Sequence, residues 1–481
     1  MMITHHPKSN SLVTQLNIPV KAKKSPLSKK ERLGMMGLCT GSKPNTIKEA
    51  LLLMKFKQSD GQNQRIERIT TSHLVVGIDI AKDTHVAQAT NFRGIVLSKR
   101  HLSFSNTIEG FEKLMRWVEG IGQKNSLKGL IIGMEPTGHY GLNLANWLSD
   151  KGISVVMVNP ATTKRNKENR DNCQSKNDPK DALVIADVIS REFYYEYSRQ
   201  AVVFQRLRTI MSDREYWVTN SVRLQNRIIR WIDIHFPEYF SVFKDWSCKR
   251  SMATLKEFPF PQDIESLSVS DVITSWKKHM QRAGGSTGLQ KAAQLISQAK
   301  RSVGDTTAVN EAKQDLKRLL EEFERNSEIL DRIEKDLKEL LSEIPIADQL
   351  RSIKGLGSIC TAAILSGAGD LRQYVHGRQL LRKAGLNLAE STSGKRKGQI
   401  ILSKRGDAAL RKYLYLATIQ LVGNNPVFQK LHENNVQVKH MKKQQSVFKL
   451  LGKLARILIS IVQKGETFSP EIAAPAFMQA A

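Results

Sequence analysis

HLVVGIDIA, residues 73–81, is the stretch whose reading decides the fold. Leu74 to Ile78 form a short, nearly unbroken apolar run, the pattern of a strand buried on both faces. Asp79 lies within this strand, where packing alone has no use for a charge. Outward from here, strand and helix signals alternate. HVAQAT (85–90) and GIVLSKRHLSF (94–104) predict two further strands. Ser105, Asn106 or Thr107 can cap a helix over IEGFEKLMRWVEG (108–120), with Ile108, Phe111, Leu114 and Val118 on one face. LKGLIIGM (127–134) is a strand that runs into Glu135, GLNLANWLSDKG (141–152) a helix stopped by Gly152, and ISVVMVNP (153–160) the next strand. Residues 161–177 read as a polar loop, and Pro179 takes a first-turn position of a helix over DPKDALVIADVISREF. This alternation predicts an α/β domain over residues 73–195.

The rest of the chain reads as mostly helical. Residues 196–344 contain one long heptad pattern, in which Val309, Ala312, Leu316, Leu319, Phe323, Asn326, Leu330, Ile333, Leu337, Leu340 and Ile344 follow 3-4 spacing. That predicts a coiled coil and, through it, a homo-oligomer; a long helix within one folded domain is the competing reading. A polar seam residue such as Asn326 costs stability and sets register. Residues 345–481 read as a compact, mainly helical module. Residues 1–72 read as a basic, flexible extension, with short helices capped at Ser28 and at Asn45 or Thr46 as an alternative.

Charge narrows the function classes. The 481 residues carry 74 Lys+Arg and 46 Asp+Glu, a formal net charge of +28. So basic a chain attracts polyanions, nucleic acid first and acidic membrane surfaces second. The charge is concentrated: residues 377–456 hold 17 basic and 3 acidic residues, whereas the heptad segment 311–343 holds 7 basic and 11 acidic. No run approaches the ~18 uncharged apolar residues of a membrane span. The opening MMITHHPKSN has no apolar signal-peptide core, and four cysteines (Cys39, Cys173, Cys248, Cys360) lie too far apart for a zinc motif. The expectation is a cytoplasmic, reduced protein without a membrane anchor.

Four acids stand out by position. Asp79 lies in the first strand, Glu135 ends an inner strand, and Asp178 and Asp181 open a helix three residues apart, on one face. Neighbouring strands with a helix across their ends would gather all four. Such a cluster repels itself and suits hard cations, Mg²⁺ or Mn²⁺, as a pair able to assist phosphoryl transfer. Taken singly, each acid also has a structural reading as a strand-end cap, a helix N-cap or a macrodipole partner. In the tail, Gly355 and Gly357 form a Gly-x-Gly turn opening a helix, a hairpin-type phosphate site or a plain tight turn. Residues 390–406, ESTSGKRKGQIILSKRG, read as a Ser-, Gly- and Lys-rich loop containing Lys395, Arg396, Lys397, Lys404 and Arg405. Arg411, Lys412, Lys439, Lys442, Lys443, Lys449, Lys453 and Arg456 flank apolar helical stretches and suit a phosphate-tracking surface.

The order of these motifs carries a resemblance. GIDIAKDTH (77–85), MEPTGHY (134–140), VNPATTK (158–164), KNDPKDALVIAD (176–187), the Arg-rich helix at 206–238, then IKGLGSICTAAIL, LRKAGL and ILSKRG resemble the DEDD transposases of the Insertion Sequence 110 family. The likeness runs from about His73 to about Phe468. It implies an RNase H-like, RuvC-like domain followed by a helical region and a C-terminal transposase domain with a helix-hairpin-helix-like element. It implies that Asp79, Glu135, Asp178 and Asp181 hold Mg²⁺. It further implies a serine nucleophile in the Ser-Gly step between the AGL and SKRG motifs, here Ser393, with Ser391 and Ser403 as rivals. DNA is the implied substrate, cut and rejoined, and some members use an element-encoded guide RNA. The basic extension before His73 and the length of the heptad region depart from the family pattern.

Three function classes follow. A transposase with a covalent serine intermediate uses both the acids and the tail; a metal-dependent nuclease of the Holliday-junction-resolving type uses the acids alone. An architectural nucleic-acid binder needs neither.

Overall fold

The computed structural model describes residues 18–19, 67–136, 138–171, 178–393 and 396–473. The chain divides into two compact units, residues 24–199 and residues 1–23 with 200–481. A two-residue strand, β1 (Ile18–Pro19), belongs to the second unit; the short helices expected within the N-terminal extension lie outside the described residues.

The first unit is built on a six-stranded sheet. Its elements are β2 (His73–Asp79), β3 (Thr84–Asn91), β4 (Leu102–Ser105), α1 (Ile108–Lys124), β5 (Gly129–Met134), α2 (Leu142–Asp150), β6 (Ser154–Val158), α3 (Pro160–Asp171), α4 (Asp178–Ser190) and β7 (Tyr194–Glu196). Strand order is β4-β3-β2-β5-β6-β7. β2, β5 and β6 run parallel at the centre, while β3, β4 and β7 are antiparallel to their neighbours. Most of 94–104, expected as strand, pairs only through Thr90–Val96 and β4. The α/β expectation holds, and alternation along β2 explains the layering. Leu74, Val76 and Ile78 join Phe111, Leu114 and Val118 of α1 and Leu144 and Leu148 of α2 in one core. Val75 faces the opposite way, with Ile131 and Val156, against Val184, Ile185, Val188 and Ile189 of α4.

Gly77 sets the distance on that second face. A Cβ there would stand 2.2 Å from the Ala182 carbonyl oxygen and 2.4 Å from the Ala186 nitrogen, so α4 lies directly on the backbone of β2. A strand glycine of this kind marks close backbone approach.

The second unit opens with α5 (Val202–His235), followed by α6 (Tyr239–Val242), α7 (Lys249–Glu257), α8 (Val269–Lys277), α9 (Gly285–Ala299) and α10 (Val309–Ser342). α10 is the heptad helix, and its seam is covered within the chain. Arg206–Glu343 (2.7 Å), Arg214–Glu334 (2.6 Å) and Arg227–Asp315 (3.4 Å) tie α5 and α10 together in antiparallel order. Leu316, Leu319 and Leu320 share a core with Leu224, Ile228, Trp231 and Ile232 of α5. Leu337 and Leu340 share another with Phe204, Leu207 and Met211. Asn326 is buried and donates to the Trp217 carbonyl of α5 at 3.2 Å. No seam residue is exposed. The seam that predicts self-association is therefore occupied by α5 of the same chain, which corrects the expectation of a homo-oligomer formed along it.

The tail comprises α11 (Pro345–Arg351), α12 (Ser358–Ala368), α13 (Gly377–Lys383), β8 (Leu388–Ser393), β9 (Arg396–Leu402), α14 (Ala408–Asn424), α15 (Pro426–Glu433), α16 (Lys443–Lys464) and α17 (Pro470–Ala473). It shares its core with the ends of α5 and α10, so residues 200–481 form one unit where the sequence predicts a boundary near 344. Residues 390–406, expected as a loop, form mainly the β8–β9 hairpin, because Ile400, Ile401 and Leu402 supply strand-forming residues; β1 pairs with its outer edge. Among the described residues no helix is long and apolar enough to cross a membrane.

Candidate active site

Register brings the acids together. Ile78 pairs with Met134 across the parallel β2–β5 ladder, so Asp79 and Glu135 follow each other at the same sheet edge. Parity gives both the same face: Val75, Gly77 and Asp79 on β2, Ile131 and Gly133 on β5 with Glu135 the next but one, just past the strand's end. That is the face on which α4 packs, with Asp178 and Asp181 in its first turn.

The electrostatics report the convergence. Burial pushes the Asp79 carboxyl from 3.8 up to about 6, and the negative charges of Asp181, Asp178 and Glu135 push in the same direction. Glu135 is raised by burial too, with the neighbouring Thr163 hydroxyl opposing the rise and Asp181 adding to it. Like charges held together disfavour ionisation in this way. A cation answers them from within the cluster: Lys167 Nζ lies 2.5 Å from Asp181 Oδ1.

Thr163 and Lys167 come from α3, in a stretch expected to be a loop. The expectation fails because α3 has almost no apolar residues to reveal a helical period; its sequence, PATTKRNKENRD, is polar all round. The Asn159 side chain accepts from the Ala161 N–H at 2.9 Å and starts the helix. The signal that could have found it is the i, i+4 pairing of Thr163 with Lys167, beginning inside the VNPATTK motif.

Four carboxylates supply the hard oxygen donors that fit a divalent ion such as Mg²⁺. Among the described residues, no three His, Cys, Asp or Glu side chains close into a ready-made metal cage. Magnesium does not require one, since it keeps several waters and takes one or two carboxylates together with substrate phosphate oxygens.

The candidate serines belong to the other unit. Ser393 is the last residue of β8, paired in register with Arg396 at the tip of the hairpin, beyond an irregularity that separates it from the Ser391–Gln399 pair. Lys395 lies outside the described residues, and Arg396 and Lys397 open β9. Ser403 is tied down: its hydroxyl donates to Asn387 Oδ1 at 2.7 Å and accepts from the Arg405 N–H at 3.3 Å. Gly385 and Gly406 interlock beneath it, since a Cβ on Gly406 would stand 2.4 Å from the Gly385 nitrogen. The AGL and SKRG motifs thus close the hairpin base.

The expected phosphate-binding residues divide. Lys404 and Arg405 are exposed, as are Lys439, Lys442, Lys443, Lys449 and Arg456. Arg411 instead donates to the Ala384 carbonyl at 2.8 Å, and Lys412 pairs with Glu215 of α5 at 2.7 Å. Gly355, at φ +95, makes the turn between α11 and α12, and Gly357 precedes the first turn of α12 with open space around it.

Comparison with known proteins matches this arrangement. A DEDD transposase family model of the IS110 type matches residues 76–237, and a model described as transposase IS116/IS110/IS902 family matches residues 347–433. The chain belongs to the IS110 family of transposases. The transposase is 24% identical over 344 residues to the uncharacterized 44.8 kDa protein of insertion element IS116 from Streptomyces clavuligerus, covering 71% of this chain and 83% of that one. It is 28% identical over 156 residues to the transposase for insertion sequence element IS1328 of Yersinia enterocolitica, covering 32% and 47% of the two chains. The first family match contains Asp79, Glu135, Asp178 and Asp181; the second contains Gly355, Gly357, Ser393 and the β8–β9 hairpin. The transposase is an enzyme whose substrate is DNA.

Proposed function

We propose that the chain cuts and rejoins DNA strands of its insertion sequence through a transient phosphoserine link at Ser393, with an RNase H-like domain supplying the acids. The observation that carries this reading is the raised Asp79 carboxyl, pushed up first by burial and then by the negative charges of Asp181, Asp178 and Glu135. Carboxylates gathered where β2 and β5 end, beside the first turn of α4, serve no packing purpose. The strand order, with the antiparallel β3, β4 and β7 flanking three parallel strands β2, β5 and β6, supports the RNase H-like assignment.

Asp79, Glu135, Asp178 and Asp181 would hold the divalent ion. When bound, that ion would neutralise phosphate charge and make a hydroxyl a competent nucleophile near neutral pH. Ser393 Oγ attacks a phosphodiester phosphorus, the Ser–O–P bond forms, and one DNA oxygen departs as an alcohol. Rejoining reverses this with a new DNA hydroxyl. Lys404, Arg405 and the exposed lysines of the tail hold the strand through its phosphates. The proposed guide RNA rests on family resemblance, and omitting RNA from the assay tests it.

The deciding experiment incubates the full chain with element-end DNA, Mg²⁺ and RNA from the element, and looks for a denaturation-resistant protein–DNA adduct. The adduct is expected in the wild type and absent in Ser393→Ala and Asp79→Asn. An adduct persisting in Ser393→Ala overturns the nucleophile assignment. Cleavage without adduct favours the metal-dependent nuclease, in which water attacks.

A further inference from the structure

One face of α3 is turned entirely toward acids. Thr163 lies beside Glu135 and lowers its carboxyl, Asn166 donates to Asp187 Oδ2 at 2.7 Å, and Lys167 meets Asp181 at 2.5 Å. These residues sit at i, i+3 and i+4, one helical face. The neighbouring cations Lys164 and Arg165 are exposed. Helices are ordinarily held by an apolar stripe, and α3 has none. Its polar contacts to the acids hold it in place instead.

We infer that Lys167 is the resident counter-cation of the carboxylate cluster, holding Asp181 in the metal-free protein and vacating it when a divalent ion binds. An ammonium and a divalent ion cannot share one carboxylate face, and their charges repel at contact distance. Lys167 therefore has two effects: it keeps the self-repelling acids together before metal arrives, and it lowers metal affinity, so that loading is favoured once DNA phosphates add negative charge. The inference rests on the metal reading above.

The test measures Mn²⁺ binding to the full chain without DNA, by calorimetry or by the electron paramagnetic resonance signal of free Mn²⁺. Wild type, Lys167→Met, Lys167→Gln, Lys167→Arg and Asp79→Asn are compared, with circular dichroism to verify folding. Lys167→Met and Lys167→Gln are expected to bind Mn²⁺ at least about tenfold more tightly, Lys167→Arg to stay near wild type, and metal-free Lys167→Met to melt at a lower temperature. Unchanged or weaker Mn²⁺ binding in both neutral variants overturns the counter-cation role, provided Asp79→Asn weakens binding. If Asp79→Asn binds as well as wild type, or no variant binds, the metal reading itself fails and this inference with it.

Discussion

Asp79 is the residue at which stability and function oppose each other. Its carboxyl is raised from 3.8 to about 6 by burial and by Asp181, Asp178 and Glu135. The sign follows from linkage. Below pH 3.8 the group is protonated in folded and unfolded chains alike and costs nothing; between 3.8 and 6 the unfolded chain ionises first, so folded stability falls as pH rises, and above about 6 the loss is complete. Unscreened, that loss would be about 3 kcal/mol; solvent at this half-buried position reduces it to about 1 kcal/mol. Asp79→Asn is therefore expected to stabilise the metal-free protein by about 1 kcal/mol at pH 7 and by nearly nothing at pH 4, while DNA cleavage falls at least about 100-fold. Urea titrations at the two pH values, beside a cleavage assay, check both halves. Gly77 poses the complementary case: Gly77→Val drives two methyls into the α4 backbone, so a loss of about 3 kcal/mol or more is expected, with loss of activity, in the same denaturation measurement.

At the scale of elements, the α5–α10 hairpin shows how a periodic pattern can be right about a helix and silent about its partner. The heptads correctly predict α10. They do not say whether a second copy or α5 fills the seam, because α5 has a weaker apolar period, and only the ladder from Arg206–Glu343 to Arg227–Asp315 settles the pairing. Asn326 has one amide hydrogen bond to Trp217, and its Oδ1 has no hydrogen-bond partner among the described residues. Asn326→Leu is expected to raise stability by about 1 kcal/mol, by removing a buried unsatisfied acceptor and adding apolar burial. Thermal melts check the gain, and sedimentation should give the same mass for variant and wild type. α3 and the β8–β9 hairpin are the opposite failure. Neither has the amphipathic period that sequence reading depends on, and both read as polar loops until the acids beside α3 and the pairing with β1 are seen.

For the whole molecule, charge distribution is the governing quantity. Half of the net +28 resides in residues 377–456, where basic residues exceed acidic by 14. Binding to DNA is expected to weaken steeply with salt, as counterion release requires. Lys442→Glu with Lys443→Glu and Lys449→Glu, all at exposed positions, should lower affinity about uniformly across DNA sequences and flatten the salt dependence by about 0.9 for each DNA phosphate no longer neutralised. Fluorescence anisotropy at several salt concentrations measures both. An unchanged slope would remove these lysines from the strand-holding surface.

The amino-acid sequence by itself determined the α/β character of residues 73–195, the helical remainder and the positions of the four acids. Those follow from apolar strand runs alternating with helical patterns, from the heptad period, and from charges placed where an apolar strand has no packing need for them. Only the tertiary structure decided that β2 and β5 are parallel neighbours in register, that Gly77 lets α4 descend onto them, and that α3 brings Thr163 and Lys167 to the same acids. Local pattern records which face of an element is apolar. It does not record which polar face meets which, because the partners of a polar face lie on other elements, far away in sequence.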